Sequence, residues 1–435
     1  MVGWDGWVYY PSVRCVFRFP TLRDASRMML LGIPAASCFS PSRPLSIRRH
    51  RRRFLAPPIR GRCFLARLTL AVVVRCLCPG LAEAVSTAEL QVPEGFKVKV
   101  VASDDLVHDA FCMTLDRVGR PVVSGPGYVR TLLDDDDDGS FDRAVDWAKL
   151  PKEGAQGLWA EGAQLYWIGD DGLWRSEDRN GDLRADGPPQ RLLALPTGGE
   201  HDAHALRRGP DGWWYLMVGN YAAGIQQVQR TQDPLVVSPR AGTLWRISPG
   251  FDQRIPWAHG FRNAYDFDFL ANGQIVTYDS DEEREVSLPW YRPTRVMVVS
   301  PGNDAGWLDA AWVDLDDRLT MPQVISKLGR GSPTGVAVYR HRTFPEKYHG
   351  AAFVLDWTFG RVIAVYPQPA AVGESTSRFM AETFMQASGL VGFAPTDVCV
   401  EPRGSLLVCV GGRGTTGALY RVESVQSSEG WEDLG

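Results

Sequence analysis

The chain has 435 residues, 44% of them hydrophobic, enough for one large domain or two or three smaller ones with a sizeable core. Its net charge of -4 hides an asymmetry: of 47 basic and 51 acidic residues, positions 1–84 hold 14 arginines and 3 acids, which leaves 33 and 48 for the rest, a net charge of -15. An acidic body argues against nucleic acid as a partner, because phosphate binding needs the opposite sign.

Residues 1–84 read as an N-terminal extension with a signal peptide. The basic flank "RRHRRRF" precedes a short apolar run at about 64–80, and Ala82-Glu83-Ala84 forms an A-x-A pattern that puts cleavage near 84. Arg67 and Arg75 interrupt the run, and it is too short for a membrane span. The expected product is exported, periplasmic or extracellular, with no membrane span in the mature chain. The first 45 residues carry no clear pattern, and Met28 or Met29 is the alternative start.

Five of the eight cysteines fall in this extension, which leaves Cys112, Cys399 and Cys409 for the body, too few for a disulfide framework. Cys399 and Cys409 flank a predicted turn at Pro402–Gly404. A cross-hairpin disulfide there is left open, since its geometry is demanding. No C-x-x-C-H occurs, so the chain carries no covalent haem.

From residue 85 to 425 one pattern recurs: an apolar strand, a tight turn ending near glycine, then another apolar strand. It reads "FCMTLDRVGRPVVSG", "HALRRGPDGWWYLMVG", "YDFDFLANGQIVTYDS" and "DVCVEPRGSLLVCVGG", with weaker copies between. Alternation and turn chemistry make each a β-hairpin. Six units of about 57 residues match four-stranded blades with their loops. The expected fold is therefore all-β, a six-bladed β-propeller, with a pair of β-sandwiches as the alternative. Residues 426–435 read as a flexible tail.

Two acidic loops lie early in the body. "DDDDDGSFD" places Asp134, Asp136, Asp138 and Asp142 at alternate or near-alternate positions, and "DRNGDLRAD" repeats the spacing with Asp178, Asn180, Asp182 and Asp186. Oxygen ligands so spaced in a tight loop can wrap calcium. Neither loop has the glutamate at position 12 of an EF-hand, and a solvated acidic turn is the bland alternative. Any calcium here is read as structural, pinning blade loops.

Further along, His201 and His204 precede the strand "WWYLMVG". With no helix and no third ligand expected, zinc is disfavoured. A histidine in a loop at a propeller mouth suits general-base work, because it titrates near neutrality; a loop histidine bonded to backbone is equally natural. "HGFRNAYDFDF" offers Arg262 and Asn263 just before a strand, donors for an anionic or polyhydroxy ligand or for carbonyls of the next blade. Beyond come Asp279, Asp281, Glu282 and Glu283, then Trp290, Tyr291 and Arg292, either a polar pocket with stacking walls or a solvated loop.

"HDAHALRRGPDG" and "GFRNAYDFDFLANG" resemble motifs of the soluble quinoprotein glucose/sorbosone dehydrogenases, over roughly residues 90–425. That resemblance implies a six-bladed propeller using pyrroloquinoline quinone and calcium. It also implies His201 as the base that takes the substrate hydroxyl proton, with Arg262 and Asn263 at the active site. "GGEHDAHALRRGPDGWWYL", "LPWYRPTRV" and "GGRGTTGALYRV" look closer still to the propeller of planctomycete-type membrane-bound dehydrogenase proteins. In that group a cytochrome c domain often follows, so the resemblance implies a separate cytochrome c or other electron acceptor.

The chain departs from the quinoprotein pattern at cofactor positions. "YDSDEE" stands where a Gly-Pro is expected, Thr358 or Phe359 where a lysine is expected, and Ala394 and Thr396 where two arginines are expected. His204, Arg292 and Arg361 are the remaining candidates for cofactor contact. Three functions follow from these readings: a sugar or polyol dehydrogenase with His201 as base, a carbohydrate-binding or interaction propeller that has lost the quinone, and a metal-dependent hydrolase or lactonase using acids around Asp281.

Overall fold

A computed structural model describes residues 7–8, 17–18, 90–148, 150–222, 235–280, 292–307, 320–368, 378–388 and 392–425. The chain divides into two units, Met1–Pro79 and Gly80–Gly435. Within the first, Trp7–Val8 pairs antiparallel with Phe17–Arg18. The second is the propeller.

Six antiparallel sheets follow one another along the chain, each running from an innermost strand to an outermost one. Blade 1 begins with Cys112–Leu115, blade 2 with Gly157–Glu161, blade 3 with Ala203–Arg208, blade 4 with Phe267–Phe269, blade 5 with Pro333–Val338 and blade 6 with Pro395–Val400. Blade 3 illustrates the local logic. Its innermost strand turns back through Pro210, Asp211 and Gly212, with Gly212 at φ 75, into Trp214–Val218. A left-handed position in a tight hairpin favours glycine. The pairing Leu216↔Trp245 then continues the sheet outward, and Leu244↔Ala258 reaches the fourth strand.

Blade 6 is built from both ends of the propeller. Its three C-terminal strands end in Ala418–Ser424, and the fourth is Phe96–Ala102, paired through Tyr420↔Val100 and Val422↔Val98. Leu90–Gln91 adds a fifth, outer strand to blade 5. The ring is thus closed by hydrogen bonds between the first and last parts of the fold.

Because each sheet is apolar on both faces, the core is divided among the blade interfaces. Six hydrophobic clusters fill six interfaces. Trp147 and Trp167 lie between blades 1 and 2, Trp214 and Ile168 between 2 and 3, and Tyr215 and Phe267 between 3 and 4. Tyr278 and Val354 lie between 4 and 5, Phe353 and Tyr420 between 5 and 6, and Leu419 and Val123 between 6 and 1.

Buried aspartates add directional contacts near the axis. Asp268 accepts the N–H of Val338 in the next blade at 2.7 Å and that of its own neighbour Phe269 at 2.7 Å. Asp397 does the same with Met113 and Val398, both at 2.7 Å. Each carboxylate satisfies an N–H that the curvature of the ring would otherwise leave bare.

The cross-hairpin disulfide, left open by the sequence, is not formed. Cys409 stands opposite Asp397 and Cys399 opposite Leu407. The two thiols therefore do not face each other, and Cys112, Cys399 and Cys409 are all free. Among the described residues no helix is long and apolar enough to cross a membrane.

Candidate functional site at the propeller mouth

The loops that lead into the innermost strands meet at one face of the ring. Phe111, Gln156, Glu200, Asn263 and Thr334, with Thr396, come from six different blades and line a cavity of about 480 Å³. The turns between second and third strands reach the same face, bringing in Trp357 from blade 5 and Arg413 from blade 6. Tyr265 and Gln156 form the floor, since both also line a second cavity of about 70 Å³ deeper along the axis, beside Arg207, Asp266 and Asp397.

The polar groups around the mouth are fixed by one another. Asn263 accepts a hydrogen bond through Oδ1 from His204 Nε2 at 2.9 Å and donates through Nδ2 to the Glu200 carbonyl at 3.1 Å. Its backbone N–H donates to Asp279 at 2.8 Å. One Nδ2 hydrogen is left over, because a primary amide carries two. Thr334 donates its hydroxyl to the Pro395 carbonyl at 2.8 Å, and Thr396 donates to the Ala110 carbonyl at 3.0 Å. The Oε1 of Gln156 is buried with no hydrogen-bond partner. Above this floor the guanidinium of Arg413 meets the carboxylate of Glu200 at 2.5 Å and lies 5.4 Å from the Trp357 ring centre.

Of the predicted site residues that are described, Asn263 alone lines this cavity. His204 lies beneath it, fully buried and stacked on Tyr265 with centroids 4.2 Å apart. Burial drives its pKa down to about 3, so the imidazole is neutral. His201 is buried in the loop leading into blade 3, with Nδ1 2.5 Å from Asn220 Oδ1 and its ring stacked on Tyr221. Arg262 turns its Nη1 to the Ser280 hydroxyl at 2.9 Å and sits 5.6 Å from the Trp307 ring.

Arg292 is buried, with Nη1 bonded to the Gly306 carbonyl at 3.2 Å. Arg361 braces its own blade, bonded to buried Asp356 at 2.8 and 3.0 Å and to the Leu328 carbonyl at 3.3 Å. Asp279 accepts the backbone N–H groups of Arg262, Asn263 and Ser280. It anchors a loop. Asp281, Glu282, Glu283, Trp290 and Tyr291 lie outside the described residues.

Both acidic loops join the third and fourth strands of a blade, in blades 1 and 2. That places them on the face opposite the cavity, away from any chemistry at the mouth. In the first, Asp134, Asp136 and Asp138 bring one carboxylate oxygen each within 4.8 Å of the others. Asp134 Oδ1 is buried without a partner, and Asp142 accepts the Asp135 N–H at 2.7 Å. In the second, Asp178 accepts the N–H groups of Gly181 and Leu183. Asn180 Nδ2 donates to Asp182 at 3.3 Å and to Asp186 at 3.1 Å, so this loop is tied to itself.

Sequence reasoning missed Glu200, Arg413, Trp357 and Gln156. Glu200 was beside the histidine singled out, and Arg413 stood inside the quoted "GGRGTTG". The usable signal was position: each mouth residue precedes an innermost strand or sits in a turn at the same face.

The fold is a six-bladed β-propeller, and soluble sugar dehydrogenases of known structure share it. The PQQ domain of a pyranose dehydrogenase from Coprinopsis cinerea aligns with a TM-score of 0.55 at 14% identity, over 77% of this chain and 97% of that one. A Trichoderma reesei protein of carbohydrate-active enzyme family AA12 gives 0.60 at 13%, over 80% and 100%. The soluble aldose sugar dehydrogenase of Escherichia coli gives 0.54 at 14%, over 76% and 99%. At such identities the likeness is one of fold. No curated protein matches the chain. Residues 82–409 match DUF7133, a domain of unknown function, and the chain belongs to that family.

The quinone named for the Coprinopsis domain can be tested against the residues present. Pyrroloquinoline quinone carries three carboxylates, which need cationic partners in a partly dry pocket. Among the described lining residues Arg413 is the one cation, one against three carboxylates. Thr396 spends its hydroxyl on a backbone carbonyl. The described residues do not fit the quinone.

Proposed function

We propose that this propeller binds a carbohydrate or polyol in its mouth cavity and does so without pyrroloquinoline quinone. The observation that carries the reading is the character of the lining: amide and hydroxyl groups held in place around a floor, with Trp357, Phe111 and Tyr265 as apolar or stacking surfaces. Sugars present both kinds of surface, hydroxyls at the ring edge and C–H groups on its faces. The fold likeness to sugar dehydrogenases supports the same ligand class. The test is calorimetric titration of the purified protein with a panel of neutral and acidic mono- and disaccharides, and separately with pyrroloquinoline quinone and calcium. Saturable sugar binding without quinone binding is the expected result; tight quinone binding followed by dye reduction would overturn it.

A second reading, an exported sugar or polyol dehydrogenase with a separate electron acceptor, is favoured by one observation. Asn220 Oδ1 accepts from His201 Nδ1, a tautomer that puts the lone pair on Nε2 as a general base requires. Against it, His201 does not line the cavity and the described cations do not suit the quinone. His201→Ala abolishes sugar-dependent dye reduction under this reading and leaves sugar binding intact under the first.

We further propose a structural calcium in the Asp134–Asp142 loop. The three gathered carboxylates and the unpartnered Asp134 oxygen are the donor set a hard cation needs. Bound there, the ion would offset part of the loop's negative charge and stiffen the outer edge of blade 1, far from the mouth.

A further inference from the structure

We infer that the ligand of the mouth carries a carboxylate, as a hexuronate does, and that Glu200 occupies the place of that carboxylate in the free protein. The inference rests on the carbohydrate reading and narrows it.

Glu200 leads into blade 3 and Arg413 turns at blade 6. These blades are diametrically opposed in a six-membered ring, so their ion pair spans the mouth. Both side chains are 62% exposed, and an exposed pair in water contributes little to stability. A competing carboxylate can therefore displace Glu200 at small cost.

The loop is shaped to present the arginine. Arg413 adopts φ 57 between Gly412 at 82 and Gly414 at 76. A left-handed residue with a long side chain is strained, and such strain persists where the surroundings hold it. Here the Gly414 N–H is bonded to Asp109 at 2.9 Å, and the Trp357 indole N–H to the Gly411 carbonyl at 2.9 Å. Arg413 is thereby set beside an indole face, with a planar fork that matches a carboxylate.

The floor completes the match. The spare Nδ2 hydrogen of Asn263 is a donor for a sugar hydroxyl at the floor. A sugar with hydroxyls at the floor and an acid at the rim engages both Asn263 and Arg413. A neutral sugar uses the floor but leaves Arg413 with Glu200.

The experiment is calorimetric titration of the full chain with glucuronate and galacturonate, each beside its methyl ester. The ester keeps every hydroxyl and removes only the charge. The expected result is at least tenfold tighter binding of the acid than of its ester. Arg413→Gln should erase that ratio, and Glu200→Gln should raise it several-fold. Equal binding of acid and ester, with the ratio untouched in both variants, overturns the carboxylate inference and leaves the carbohydrate reading standing. No binding of either, with none in the wider sugar panel, overturns both.

Discussion

Asp397 accepts the Met113 N–H at 2.7 Å, a contact that ties the last blade to the first close to the axis. Asp268 repeats it toward Val338 between blades 4 and 5. Truncating either carboxylate leaves two buried N–H groups without an acceptor, at about 1–3 kcal/mol each. At position 397 that loss outweighs relief of the repulsion from Asp266. Asp397→Ala and Asp268→Ala are each expected to lower the unfolding free energy by about 2–4 kcal/mol in urea titrations. A loss under about 0.5 kcal/mol would mean that the apolar interfaces alone hold the ring.

Two buried groups give the stability opposite dependences on pH. Burial, with the Asp266 carboxylate nearby, pushes Asp397 up from 3.8 to about 7. Its raised pKa contributes stability that is full below about 4 and lost as pH rises toward 7. Burial lowers His204 from 6.5 to about 3; its contribution is full above 6.5 and lost as pH falls toward 3. Between pH 4 and 6.5 the slopes oppose, each at most about 1.4 kcal/mol per pH unit. Relative to the wild type, Asp397→Asn should make stability rise more steeply with pH, and His204→Phe should make it fall. Denaturation midpoints at several pH values that shift in parallel for all three proteins would rule this out.

Close approach of backbones should make one glycine irreplaceable. A Cβ on Gly157 would lie 1.9 Å from the His204 carbonyl oxygen, so Gly157→Ala must push blade 2 off blade 3. A loss of about 3 kcal/mol or more, or failure to fold, is expected. Gly162, at φ 63 in a hairpin turn with nothing within 4 Å, should cost only about 1–2 kcal/mol as alanine. Similar melting temperatures for the two variants would contradict the packing argument.

The calcium assignment predicts a melting temperature that rises with added calcium and falls with chelator. Asp138→Ala should remove that dependence, while Asp182→Ala, in the self-bonded second loop, should preserve it. Calcium dependence surviving in Asp138→Ala would move the ion elsewhere.

The blades were legible because their information is local: alternation, a turn glycine, alternation again, as in "YDFDFLANGQIVTYDS". The pairing of Phe96–Ala102 into blade 6 was not, since nothing in either strand names a partner at the other end of the chain. The site was legible one residue at a time and not as a set. Asn263 was found and lines the cavity, but Arg361 and Arg292 were drawn to nearby carbonyls and a buried carboxylate, which a one-dimensional reading cannot distinguish from a ligand. Glu200 and Arg413 meet only because opposite blades face each other.

The strand that completes blade 6 has a consequence for how the protein is made. Phe96–Ala102 leaves the ribosome before the innermost strands of all six blades and pairs with Ala418–Ser424, which follows them. Through synthesis the early strand waits with a free edge, open to pairing with other chains. Protection of that one segment until its partner strand arrives should therefore bear on the yield of closed rings.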